Sequence, residues 1–252
     1  MKKIFLFLCL LSGLPSMAQK TEGKTEGIVT YVRKEYWLKI SNRLTFLSQE
    51  QKDRMAQTWK NFEEDNKGIK MKLAFSPNES LYTYNSDEPE EGGYSWRKSE
   101  FYLYRNFEQD KKTDIIEMLG RTYSVEDSLH SPRWKIGNQI KEVAGYVCMK
   151  AETEDPIKKQ KITAWFAQDI PVSAGPERIN GLPGLILELD IDDGAVTIEA
   201  INVTFRPLTP ADLKLPKLKT RKINDVAYDG LIDKHIKEQT TAHQNPYWEI
   251  RY

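Results

Sequence analysis

Three histidines, a cysteine in mid-chain and 37 acidic side chains are the groups through which this chain could do chemistry. His130, His235 and His243 include no i, i+4 pair and no H-E-x-x-H, so the two-histidine helix face that zinc sites use is missing. Asp233 and His235 stand two apart and face different sides of a helix. Cys148 beside Met149 has the right softness for Cu(I), but neighbours on a strand point to opposite faces and cannot chelate together. An α/β-type serine hydrolase needs a G-x-S-x-G elbow, and the chain has none. Cys148 with a histidine base would make a thiol nucleophile. Its apolar neighbours Tyr146, Val147 and Met149 argue instead for a buried, inert thiol. Carboxylates can pair in many ways, and no spacing singles out an acid and a base. The run Asp87-Glu88-Pro89-Glu90-Glu91 lacks EF-hand ligand spacing and reads as a solvated loop. No catalytic residue, metal site or cofactor is therefore predicted.

The elements that would position any site are mostly strands. Gly27 to Ile40, rich in Val, Tyr and Trp, reads as an opening strand. Ser48-Gln49-Glu50-Gln51 has capping-box spacing, and Met55, Trp59 and Phe62 follow at helical intervals. The spacing predicts a helix over 48–65 whose stripe packs on a sheet. Alternation predicts a hairpin over 69–84, a strand from Phe101 and another over 115–123. Trp134 to Ile136 and Gln139 to Ala144 read as two strands around a Gly137-Asn138 turn. Strands over 146–154, 161–170, 185–191 and 195–205 complete the series, with Asp193-Gly194 as a hairpin turn. Residues 206–216 carry three prolines and form an extended strap, and Val226, Leu231, Ile232 and Ile236 mark a helix over 222–238. The last aromatics, Tyr247, Trp248 and Tyr252, suggest a tail that frays or docks as a short strand. Short turns between strands argue an α+β fold with a curved, mainly antiparallel sheet, half-barrel in shape.

Met1 to Ala18 has the pattern of a secretory signal. Lys2 and Lys3 form the basic start, Ile4 to Leu11 the apolar stretch, and Ser16-Met17-Ala18 a small-residue cleavage site. A single domain over 19–252, exported to the periplasm or beyond, is the expectation, without a stable membrane span once the signal is removed. Loss of Lys2 and Lys3 turns a balance of 37 basic and 37 acidic side chains into a slight acidic excess. Such a chain has no field for gathering nucleic acid. Cys9 leaves with the signal, so Cys148 has no partner for an internal disulfide, and the core must hold the fold unaided.

The densest signal is the Gly/Pro run at residues 171–187. Pro183-Gly184 suits a type II turn, with glycine at the position that needs φ > 0, and Gly181 permits a bulge or close approach. The apolar run from Leu185 then enters a strand. Ligand-binding candidates are Leu182 and Pro183 on this lip, and Trp165, whose neighbour Phe166 points to the other face of the same strand.

Gly181-Leu182-Pro183-Gly184-Leu185-Ile186 resembles the hexapeptide that names the GLPGLI family of exported bacterial proteins, typical of Bacteroidetes. Its surroundings are similar too: Trp134-Lys135-Ile136, Gly145 to Ala151, Ala164-Trp165-Phe166, Ile170-Pro171 and Gly175-Pro176. The likeness is strongest over residues 130–190. The family has no established activity, so the resemblance implies an address and no catalytic residues. The curved sheet is similar in shape to the half-barrel of periplasmic lipoprotein carriers, an analogy of fold alone. Asp127-Ser128-Leu129 resembles the tripeptide that such bacteria O-glycosylate.

Two functional classes follow. In the first, a non-catalytic envelope protein uses its curved sheet to hold an apolar or peptide ligand, or an outer-membrane partner, and has an apolar groove. In the second, a hydrolase-like enzyme works through a carboxylate or Cys148, and has a perturbed titratable cluster in a cleft. A metal-handling protein is a third alternative. The absence of catalytic spacing favours the first.

Overall fold

The computed structural model describes residues 25–64, 66–85 and 99–252. Residues 1–18, in which a secretory signal is expected and Cys9 falls, lie outside the described residues, as do the acidic run at Asp87 and the side chain of Phe62.

Among the described residues, twelve strands form one sheet. They are β1 (Gly27–Glu35), β2 (Ile69–Phe75), β3 (Glu79–Tyr84), β4 (Phe101–Asn106), β5 (Lys111–Met118), β6 (Arg121–Ser128), β7 (Lys135–Val143), β8 (Tyr146–Asp155), β9 (Gln160–Ala167), β10 (Leu185–Ile191), β11 (Val196–Phe205) and β12 (Arg221–Ile223). The helices are α1 (Trp37–Asn42), α2 (Gln49–Glu64) and α3 (Asp225–Thr241), followed by a 3-10 turn at Pro246–Trp248. The sheet order is β12-β6-β5-β4-β3-β2-β1-β11-β10-β9-β8-β7. Among the described residues every pairing is antiparallel except β12 with β6. The α+β, mainly antiparallel expectation therefore holds.

The sheet bends into a trough. Tyr146 on β8 meets Phe205 on β11 edge to face, ring centroids 6.3 Å apart, although β9 and β10 separate their strands. Register shifts in β1, β7 and β10 supply local bends, since a bulge adds a residue to one strand and increases its twist. Alternation in β1 puts Val29, Tyr31 and Arg33 on the buried side. Val29 continues across the ladder as a buried row of Leu73, Tyr82, Leu103, Asp114 and Val125. Arg33 continues the other way as Ile198, Leu189, Ala164 and Ala151. Each apolar row thus carries one buried charge.

Several boundaries depart from the sequence reading. The opening strand stops at Glu35, and α1 follows instead of more strand. Tyr36 N makes the last bond to the sheet, at Ala195 O, and Trp37 stacks on Trp248 at 4.7 Å. The capping box forms as expected, with Ser48 N donating to Gln51 Oε1 and Gln51 N to Ser48 Oγ. However, α2 lies against α1 rather than on the sheet. Lys52 Nζ donates to Asn42 O and Leu38 N to Glu63 Oε1, while Met55 and Trp59 stay half-buried. Residues 115–123 span a hairpin, not one strand, because Leu119 and Gly120 turn the chain with φ of 52° and 70°. Gly137-Asn138 is an irregularity inside a continuous β7, and the turn falls at Ala144-Gly145. Asp192, Asp193 and Gly194 all have positive φ, as the Asp-Gly signal suggested. Asn224 caps α3, accepting from Ala227 N. The final segment docks without becoming a strand, with Ile250 and Tyr252 buried.

The hexapeptide makes a different bend from the one predicted. Gly181, not Gly184, takes the left-handed conformation, at φ 94°. Gly184 is glycine because its backbone runs against β9: a Cβ there would lie 2.3 Å from Ala167 O. Leu182, Leu185, Ile186 and Leu187 are buried, so the motif anchors the entry to β10.

Candidate functional site

The connection over 168–184 crosses the trough from β9 towards the β3–β5 limb. Two neighbouring side chains at its far point make the crossing. Glu177, held at φ 56°, accepts from Tyr82 Oη on β3 at 3.4 Å, and Arg178 reaches Asp114 on β5. A left-handed turn at a non-glycine residue costs about 1–2 kcal/mol. Here it lets adjacent side chains enter two separate clusters.

The Arg178 cluster is closed. Asp114, fully buried, accepts from Arg105 Nη1, and from Arg178 Nε at 2.9 Å. Arg178 Nη2 donates to Asp225 Oδ1 at 2.6 Å, and Lys112 Nζ sits 2.5 Å from Asp225 Oδ2. The Arg178 guanidinium also lies 4.1 Å from the Tyr228 ring centroid. Burial alone would raise the Asp114 carboxyl, but Arg105 and Arg178 outweigh it and hold the group below the usual range. Among the described residues, no buried polar side-chain atom of this cluster lacks a partner. It ties the crossing loop, the β4–β5 limb and the start of α3 together.

The Glu177 cluster is open. Arg251 grips Glu177 with both Nε and Nη2, at 2.7 and 2.6 Å, and stacks 4.0 Å from the Phe101 centroid. Arg33, 2% exposed at its side chain, donates from Nη1 to Glu35. Its Nε stands 3.2 Å from Glu177 Oε1 but is not aligned to bond, and its Nη2 meets no acceptor. Gln160 is buried, and its Nε2 has no acceptor either. Lys158 Nζ donates to Arg251 O at 2.6 Å. Burial pulls its ammonium down to about 8, against the opposing pull of Asp155 and Glu177.

These groups border a half-open cavity of about 1210 Å³ between the inner face, the crossing loop, α3 and residues 248–252. Ile116, Met118, Ile162, Ile191, Ile232 and Ile250 supply apolar wall. Arg33, Lys158, Gln160, Glu177, Arg178 and Arg251 supply the polar part. Asp229, also on the lining, has its carboxyl raised by burial. The tail closes one end. Leu119 N donates to Glu249 O, and Tyr252 Oη to Asp192 Oδ2 at 2.6 Å. The arrangement can hold a molecule with an apolar body and a few polar groups.

None of Trp165, Leu182 and Pro183 lines this cavity. Leu182 is core, Pro183 is exposed, and Trp165 is half-buried under Lys141 Nζ, 4.6 Å from its ring. Lys141 is held there by Glu188 at 2.5 Å. Phe166 is the core member of the pair. Cys148 is buried, and burial pushes its thiol up to about 11, the reverse of what a nucleophile needs. The histidines lie apart. His130 is exposed, His235 Nε2 is 2.9 Å from Pro246 O, and His243 stacks on Phe46. Among the described residues no group of three or more His, Cys, Asp or Glu side chains could hold a metal ion. Ser128 is exposed at the end of β6.

The cavity residues were missed because no motif joins them. A signal existed nonetheless. Arg33 follows Val29 and Tyr31 at alternate positions of a strand, Arg105 follows Phe101 and Leu103, and Asp114 precedes Ile116 and Met118. A charge in register with an apolar stripe marks a buried ionic group.

Residues 153–188 match a family described as "Protein of unknown function (Porph_ging)". The matched stretch runs from the end of β8 into β10, and so holds the crossing loop with Glu177, Arg178 and the hexapeptide. A comparison with curated proteins finds none that matches the chain. Among solved structures, the chain is similar to PNGF-II in its P21 crystal form, with TM-score 0.53 and 13% identity over 82% of this chain and 33% of that one. The C2 form of PNGF-II gives TM-score 0.53 and 14% identity over 82% and 32%. The chain therefore spans about a third of the length of those structures, and at this identity the likeness is one of fold.

Proposed function

We propose that this protein is an exported, non-catalytic binding module of the bacterial envelope that holds a small amphiphilic molecule in the trough. The observation that carries the reading is the cavity of about 1210 Å³, whose lining combines apolar and charged side chains. Ligand sites of drug-sized molecules run to roughly 300–1,000 Å³, so the space is ample. The basic start and apolar stretch of Met1 to Ala18 support export to the periplasm or beyond, as one domain over 19–252. The hexapeptide and its flanks support kinship with the GLPGLI proteins.

The test is native mass spectrometry and solvent extraction of protein purified from the periplasmic fraction. Bound apolar material in near-stoichiometric amount is expected, and its release on denaturation. Protein that is uniformly empty, and that takes up no alkyl ligand when titrated, would refute the reading. The competing thiol-enzyme idea has its own check. Cys148 in the folded protein should resist iodoacetamide at pH 8 and react fast in denaturant, whereas rapid native labelling would favour the enzyme.

A further inference from the structure

We infer that the side-chain amine of Lys158 captures the carbonyl group of an alkyl aldehyde in the cavity as an imine; this rests on the binding-module reading and names the reactive group of its ligand. The reason is a cation position without a counter-ion. Around the cavity Arg33 pairs with Glu35, Arg105 with Asp114, Lys112 and Arg178 with Asp225, and Arg251 with Glu177. Among the described residues Lys158 makes no such pair. Its Nζ donates to the backbone oxygen of Arg251 at 2.6 Å. A carbonyl satisfies a neutral amine as well as an ammonium, and it leaves the nitrogen lone pair free once a proton is lost. The nearest carboxylate in sequence, Asp155, is turned to the backbone, accepting from Ile157 N and Lys158 N at 2.8 and 2.9 Å. Those two bonds fix the turn between β8 and β9 that carries Lys158. The residue lines the cavity and keeps part of its surface exposed.

The surroundings favour the neutral form. Burial, with Arg33 and Arg178 nearby, outweighs the attraction of Asp155 and Glu177 and draws the proton off the ammonium. Desolvated lysines of this kind are the amines that form Schiff bases with carbonyl compounds. The step needs no cofactor and no leaving group. Nitrogen bonds to the carbonyl carbon, the carbon–oxygen bond breaks, and both amine hydrogens depart with the oxygen as water. Charges on the lining come close to balance, so a neutral carbonyl compound adds no uncompensated charge. Ile116, Ile162, Ile191 and Ile232 then cover its alkyl body.

The experiment treats the whole folded protein with decanal and cyanoborohydride at pH 8 and maps the reduced adducts by peptide mass spectrometry. One adduct should dominate, on Lys158, at least about tenfold ahead of any other lysine, because an amine that titrates at about 8 is neutral far more often than one at about 10.4. 1-Decanol, which has the chain and no carbonyl, should bind by calorimetry and in excess should protect Lys158. Lys158→Arg should abolish the adduct and leave decanol affinity within about threefold. Lys158→Met stands in if that variant does not fold. Labelling spread over exposed lysines, or none at Lys158 while 1-decanol binds, would overturn the inference and leave the cavity reading intact. An adduct that excess 1-decanol does not slow would put the reaction outside the cavity and overturn it too. If neither compound binds, both readings fall.

Discussion

Two buried charge clusters share one trough, and neighbouring residues of one loop feed them. Arg178 enters the first, where Asp114 and Asp225 meet Arg105, Lys112 and Arg178 with every buried polar atom paired. Glu177 enters the second, where Arg251 is fully engaged but Arg33 and Gln160 keep donors without acceptors. Both lie on the apolar inner face, so burial alone does not separate them. Completeness does. A complete cluster is a lock, since taking away one member strands the others. An incomplete one carries a desolvation cost that the protein's own groups do not offset.

The comparison can be broken at its strongest point first. Asp114→Asn removes the shared counter-ion of Arg105 and Arg178 and should cost about 3–5 kcal/mol in urea denaturation with an unchanged slope. A loss below about 1 kcal/mol would mean the cluster is no lock. Gly184→Ala acts on the loop that serves both clusters. Its Cβ would fall 2.3 Å from a backbone oxygen, and about 1–3 kcal/mol should be lost, visible as a lower melting temperature. Arg33→Met tests the open cluster. Glu177 keeps its two bonds to Arg251 and two unmet N–H groups disappear, so the cost should stay under about 1.5 kcal/mol, well short of Asp114→Asn. Equal losses at the two sites would erase the distinction.

A pH dependence separates Lys158 from both clusters. Unfolded lysine keeps its proton to about pH 10.4, whereas folded Lys158 keeps it only to about 8. Between those values the unfolded chain binds more protons, so the contribution of this residue to stability rises with pH. Wild type should therefore gain stability relative to Lys158→Met between pH 7 and pH 9.5. A flat difference would show that Lys158 is well solvated in the folded state.

Much of the scaffold was legible in residue patterns. Alternation in Phe101-Tyr102-Leu103, the capping box at Ser48 and the Asp193-Gly194 turn are local signals, and each formed as read. Errors arose where a local pattern had two solutions. Gly137-Asn138 can turn a hairpin or interrupt a strand, and the neighbour β8 selects the second. Ile115 to Tyr123 is apolar enough to pass for one strand, and only the positive φ at Leu119 and Gly120 divides it. The period of α2 is helical, but the partner it packs against is α1, which period alone does not name.

The hexapeptide shows the same division. Its composition announces a tight backbone and a strand to follow. It cannot say which glycine bends and which is squeezed, for that depends on Ser131 beside Gly181 and Ala167 beside Gly184.

By itself, the order of residues determined most of the strands, two of the helices, the apolar stripes and the charges that interrupt them, since these depend on neighbours a few positions away. Only the tertiary structure decided which of those charges meet. Glu177 is 74 residues from Arg251 and Arg178 is 64 from Asp114. Whether a buried ion is satisfied is a property of the groups that folding brings within about 3 Å of it, and no local spacing encodes that.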